Sequence, residues 1–275
     1  MKSIRFLAFA AALVAAVCLA TATRADVAEF YIGIDARTAG FNAPPALGGG
    51  AYPNNPNYNR LTFLYQHGDH YHGIGTYSYT GPAGFPVLND TNPNNRLPET
   101  FTAQPPLPLL PGAGVYAGKN TTQQVLGLDY SNLEARNVHS LDPSIPAELT
   151  LFNSSSGRWN QPFDLAHIHL ELIGVSSPHL NVGTLTNPNA LLVGGDVHVG
   201  DGEELFSFTP VLWVDAAAPA GNYWAEFRLL DESGSVGDSG RFFIDVRQVP
   251  EPTGLGLGVL AAAAVVMGRR RRRSH

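Results

Sequence analysis

Apolar and polar residues alternate with period two along seven stretches of this chain, and no long stretch keeps a helical period. The stretches are AEFYIGIDA (28–36), RLTFLYQH (60–67), GIGTYSYTG (73–81), LAHIHLELIGV (165–175), ELFSFTPVLWVD (204–215), NYWAEFRLLDE (222–232) and RFFIDVRQV (241–249). Side chains of a strand point alternately to its two faces, so each stretch predicts a β-strand with one face in a core and one in solvent. Turn-forming residues separate them, as at Ala220-Gly221-Asn222 and Ser233-Gly234-Ser235. The expectation is an all-β chain folded as a β-sandwich.

Two segments interrupt the pattern. Residues 40–59 are rich in Gly, Pro and Asn, and residues 81–114 carry many prolines, including Pro105-Pro106-Leu107-Pro108. Loops of this length are uncommon in compact domains unless they are functional or mobile, and an inert surface wrap is the simpler reading. The body between the two ends, 26–248, suffices for one large β domain, or for two smaller ones meeting near 120–160. Its last strands resemble an immunoglobulin-like ending, a hairpin opening with Gly-x-Tyr at Gly221 to Tyr223.

Within the strand pattern the polar faces hold unusual residues. In LAHIHLELIG, His167, His169 and Glu171 share one face, while Ile168, Leu170 and Leu172 share the other. In GGDVHVGDGEE, Asp196 and His198 repeat the arrangement. A third group, HGDHYHG, has His67 and Asp69 ending one strand and His70 and His72 beginning the next, with Gly68 and Gly73 allowing the bend. These three groups contain six of the nine histidines. His139 and His179 stand alone and suit ordinary surface or capping roles. Two imidazoles and a carboxylate on one strand face are well placed to grip a divalent ion. The strand pair His167/His169 needs further ligands from a neighbour, either the HGDHYH turn or the Asp196/His198 pair. A solvated polar face is the competing explanation, although Thr, Lys or Glu more often fill such a face.

The ends and the charge narrow the chemistry. Residues 1–25 combine a basic start (Lys2, Arg5), an apolar run (Phe6 to Ala20) and small residues before Ala25. They read as a secretory signal peptide, the apolar run being short of the roughly 20 residues of a membrane span. The only cysteine, Cys18, lies inside it. The exported body therefore has neither disulfide nor thiolate, and a transition metal there must be held by imidazole and carboxylate. Zinc suits that set, as do other divalent transition metals, whereas calcium would want oxygen alone. Between the leader and the apolar stretch of the tail, nine Lys and Arg face all 23 Asp and Glu, counting Glu251. So acidic a body repels nucleic acid and attracts cations.

The other end, VPEPTGLGLGVLAAAAVVMGRRRRRSH (249–275), places Pro-Glu-Pro before an apolar stretch, Leu255 to Met267, and five arginines, Arg269 to Arg273. It resembles the PEP-CTERM sorting signal. That resemblance implies an exosortase-type sorting peptidase as partner, a transient transmembrane helix, and delivery to the cell envelope, outer surface or extracellular matrix of a Gram-negative bacterium. With that tail, HGDHYHGIGTYSYTG and HIHLE make the body similar to PEP-CTERM proteins repressed by the zinc-uptake regulator. This second resemblance implies a surface protein made when zinc is scarce, one that binds zinc or helps acquire it. Carried over, its ligands would be His67, His70, His72, His167, His169 and His198.

No complete catalytic signature accompanies these residues. HGDHYH has its histidines in a different order from the metallo-β-lactamase His-x-His-x-Asp-His. The chain also has no His-Glu-x-x-His, no Gly-x-Ser-x-Gly and no glycine-rich phosphate loop. The leading expectation is thus a secreted zinc scavenger or buffer. One alternative is a metal-free structural or adhesion protein of the exopolysaccharide matrix, and a second is a metal-dependent hydrolase.

Overall fold

A computed structural model describes residues 28–40, 42 and 49–249. The signal peptide assigned to 1–25 lies outside the described residues, as does the sorting signal assigned to 249–275 apart from Val249. Among the described residues no helix is long and apolar enough to cross a membrane.

The chain is all-β and sandwich-like. Its strands in order are β1 (Phe30–Ile34), β2 (Leu61–His67), β3 (His70–Ile74), β4 (Ser78–Thr80), β5 (Val87–Asn89), β6 (Arg96–Leu97), β7 (Leu107–Pro108), β8 (Leu110–Pro111) and β9 (Lys119–Thr121). There follow β10 (Ala135–Asn137), β11 (His167–Val175), β12 (Asn181–Thr184), β13 (Asp196–Asp201), β14 (Ser207–Phe208), β15 (Pro210–Asp215), β16 (Gly221–Asp231) and β17 (Phe242–Gln248). A short helix, Pro146–Phe152, lies in the segment before β11.

Two sheets frame the core, ordered β14-β10-β1-β2-β3 and β13-β11-β16-β17-β6, the second also pairing β7 with β17. Their inner faces meet through Phe63 on β2, which stacks on Phe242 of β17 at 5.0 Å and on Phe30 of β1 at 5.0 Å. Period two drives this packing. Ile168, Leu170 and Leu172 of β11 are buried, as are Ala225, Phe227 and Leu229 of β16, while the residues between them remain partly exposed. The outer face of β1 and β3 is also buried: Tyr31 meets Tyr71 edge-on at 5.6 Å, and the segment carrying Val138, Leu151 and Trp159 joins the same core. That single cluster runs from Ala28 to Val246 and includes residues on both sides of 120–160. A third sheet, β12-β15-β9-β8, and the hairpin β4-β5 complete the described strands.

Two predicted strands divide. The stretch 73–81 breaks after Ile74, so β3 starts earlier, at His70, and β4 forms a separate hairpin. The stretch 204–215 splits at Thr209, where the chain leaves the first sheet as β14 and enters the third as β15, with Pro210 at the crossing. The proline-rich segment 81–114 does more than wrap the surface. Its β6 and β7 pair in parallel with β17 and cover the edge of the second sheet. The final hairpin, β16–β17, carries the Tyr223 hydroxyl donating to the Pro219 carbonyl, a corner of the kind found in immunoglobulin-like sandwiches.

One half-buried acid, just before β1, ties the first sheet to pH. Burial pushes the Glu29 carboxyl up to about 7, against the backbone N–H of Asn132 that donates to it and with the Asp129 charge adding to the rise. A raised acid favours folding while it is neutral. Its contribution is therefore complete below its unfolded value of about 4.3 and is lost as pH rises through about 7. Thermal melts of the metal-free protein are expected to fall between pH 5 and 8 and to fall less in Glu29→Gln. An identical slope in both proteins would remove Glu29 from this role.

Candidate metal centre

β11 lies between β13 and β16, and the outward residues of these three strands form one surface. On β11 these are His167, His169 and Glu171. The register sets His169 opposite His198 and His167 opposite Asp201 on β13, and His169 opposite Leu230 on β16. Glu232 follows two residues after Leu230, its N–H donating to the His167 carbonyl at 2.9 Å, which brings its carboxylate beside the two rings.

His198 and Asp201 are three residues apart, so in a regular strand they would face opposite ways. A bulge corrects this. The pairing shifts between Ile168 and His169, leaving Val199 as an extra residue on β13, so Asp201 returns to the face of His198. Gly200 makes the bulge possible because a Cβ there would lie 2.5 Å from the Cβ of Phe206. The start of β11 is held by Asp231, which accepts from the His167 N–H at 2.8 Å. Burial raises the Asp231 carboxyl, but donors from Val236, Ser233, His167 and Ser235 outweigh it and lower the value to about 2, so this anchor is ionised.

The hydrogen bonds orient both rings of β11. His169 Nδ1–H donates to Asp196 Oδ1 at 2.6 Å, and His167 Nδ1–H donates to Asp201 Oδ1. That bond holds the Asp201 carboxyl below the ordinary carboxylate range, against its desolvation and with help from His198. A ring that gives its Nδ1 proton to a carboxylate keeps its lone pair on Nε2, the arrangement found behind metal-bound histidines. Both Nε2 atoms approach one carboxylate oxygen: Glu232 Oε2 lies 3.3 Å from His169 Nε2 and 3.9 Å from His167 Nε2. His169 Nε2 is nevertheless buried without a hydrogen bond, because the Glu232 approach is off-angle. His198 stacks on His167 with centroids 4.5 Å apart. The ligand atoms of His167, His169 and His198 lie within 4.8 Å of one another, as do those of His169, Asp196 and Glu232. An unpaired buried nitrogen, oriented imidazoles and a nearby carboxylate fit a tetrahedral nitrogen/oxygen site.

The HGDHYH residues form a group of their own. Ligand atoms of His67, His70 and His72 lie within 4.8 Å of one another, and among the described residues they form no common cluster with His167, His169 or His198. The Asp196/His198 pair, and not this turn, completes the β11 surface. His67 and His70 face each other across the β2–β3 hairpin. The two-residue loop between them is Gly68-Asp69, where Gly68 has φ +66°, a left-handed conformation that glycine adopts freely. Gly73, expected at the bend, lies instead inside β3 opposite Leu64. Asp69 sits in the loop, its carboxyl lowered chiefly by the hydrogen bond from His70.

Glu171 takes no part in either group, since the Arg228 guanidinium grips its Oε2 from β16 at 2.6 and 2.9 Å. His139 Nε2–H donates to the Gln161 carbonyl at 3.3 Å and its ring packs on Phe163, a structural position. Sequence reading missed Glu99, Asp201 and Glu232. Glu232 continues the period-two face of Glu226, Arg228 and Leu230 and was legible to that extent.

No family model matches the chain, and no curated protein or solved structure is significantly similar to it.

Proposed function

We propose that this chain is an exported, envelope-associated zinc-binding protein that scavenges or buffers zinc at the cell surface. Its ion is held by His167, His169, His198 and Glu232, with Asp196 and Asp201 orienting the rings from behind. The observation that carries the reading is His169: its Nδ1–H donates to Asp196 while its buried Nε2 has no hydrogen-bond partner. A buried lone pair without a partner is costly unless something occupies that position. The acidic body favours a cation, and the resemblance of the tail to a PEP-CTERM signal supports delivery by an exosortase-type peptidase, with exopolysaccharide as a neighbour there.

Zinc titrated at pH 7.5 into the untagged full chain, against a chromophoric chelator, tests the reading. Tight binding is expected, with Glu232→Gln weakening it about tenfold or more, on the scale of losses seen at supporting residues of metal sites. A wild-type chain that takes up no zinc would leave the matrix or adhesion role as the better account. Unchanged affinity in Glu232→Gln would remove Glu232 from the ligand set alone.

A further inference from the structure

The hairpin end of the first sheet presents a separate problem in charge. His72 Nδ1–H donates to Glu99 Oε2 at 2.8 Å, and His70 Nδ1–H donates to Asp69 Oδ1 at 3.0 Å. Both rings then carry their lone pairs on Nε2. These two nitrogens nevertheless point at each other, 3.1 Å apart. Two lone pairs repel at that distance, so a cation belongs between them. Two zinc–nitrogen bonds of about 2.0–2.1 Å at a tetrahedral angle would put the nitrogens about 3.3 Å apart, close to the spacing present.

The surroundings point the same way. Glu99 is 3 % exposed, and its side chain is hydrogen-bonded by His72 and by the Tyr130 hydroxyl at 3.0 Å. Burial, with the Glu99 charge beside it, pushes the Tyr130 phenol up, so that it remains a donor. A buried carboxylate needs positive charge nearby, and His72 is the route by which an ion at its Nε2 would supply it. The ring of His67 completes the group, with centroids 5.0 Å from His72 and 5.5 Å from His70. Tyr65 stacks on Tyr130 at 4.3 Å and on the His67 ring at 6.2 Å, which gives the triad a rigid aromatic base. The side chain of His70 is 46 % exposed, leaving one side of the triad open to solvent.

We infer that His67, His70 and His72 form a second metal site, independent of the β11 centre, which takes a divalent transition-metal ion with one coordination position open to solvent. Glu99 is its positioning residue, holding His72 in the ligating tautomer.

The experiment is zinc titration of the full untagged chain as wild type, His167→Ala/His169→Ala, His67→Ala/His70→Ala, and all four together. His67 and His70 are chosen because both are exposed, whereas removing His72 would strip the buried Glu99 of its partner. Circular dichroism checks that each variant is folded. Two ions are expected in the wild type, one in each double variant, and none in the quadruple. A His167→Ala/His169→Ala protein that binds no zinc, or a His67→Ala/His70→Ala protein that still binds two ions, overturns the hairpin site; in either case a proton shared by His70 and His72 would account for the short contact. Loss of the single ion of a one-site wild type only in His67→Ala/His70→Ala would instead overturn the β11 centre and leave the hairpin standing. The two proposals therefore fail separately.

Discussion

Replacing His167 and His169 together with alanine is expected to lower zinc affinity at the β11 centre by roughly 10³-fold or more. Loss of a mere supporting partner at a metal site costs about 10–100-fold, and this change removes two imidazoles that share one strand face. Alanine leaves the inward ladder of Ile168 and Leu170 untouched, so the loss is one of ligands and not of fold. Ligation needs neutral rings, and wild-type affinity should therefore fall as the solution is made acid enough to protonate them. His139→Ala and His179→Ala are the controls. His139 packs against Phe152 and Phe163, and His179 lies in the turn before β12, so neither should change zinc affinity. Calorimetric titration at pH 7.5 decides it: equal affinity at this centre in wild type and double variant would remove the β11 histidines from the account.

Phe63→Ala is expected to cost about 3–5 kcal/mol of stability, the range for truncating a buried phenylalanine. Phe63 is 4 % exposed and its ring lies between Phe30 of its own sheet and Phe242 of the facing sheet, each at 5.0 Å. The alanine variant would lose both stacks and open a void where the two sheets meet. Denaturant unfolding should show the midpoint shift, and a chelator must be present, because an ion bound only to the folded state adds stability that grows with its free concentration. A cost below about 1 kcal/mol would mean that the two sheets do not pack through this ring.

Much of the fold was legible because burial acts on alternate residues. A strand with one face in a core must alternate, and β11, β16 and β17 do so within stretches that alternate, whereas β1 and most of β2, expected to keep one face in solvent, are buried on both faces. The short strands β9, β10 and β12 were not legible, since three or four residues hold too little of the pattern to distinguish a strand from a loop. The prolines of 81–114 likewise hid β6 and β7, which pair with only the edge of a sheet.

For the candidate sites the division is sharper. By itself the sequence determined that His167 and His169 share a face, because they are two residues apart on a strand and the side-chain period there is two. It also determined that no thiolate is available within 26–275, because the single cysteine is Cys18. Only the tertiary structure decided which residues join those histidines. Register placed β13 and β16 on either side of β11, a one-residue bulge turned Asp201 to the face of His198, and Arg228 drew Glu171 away. It also separated the HGDHYH hairpin onto the other sheet, with Glu99 behind it from a segment 27 residues further along. Strand order and register depend on which inner faces pack together across the whole chain, and a local period carries no information about that.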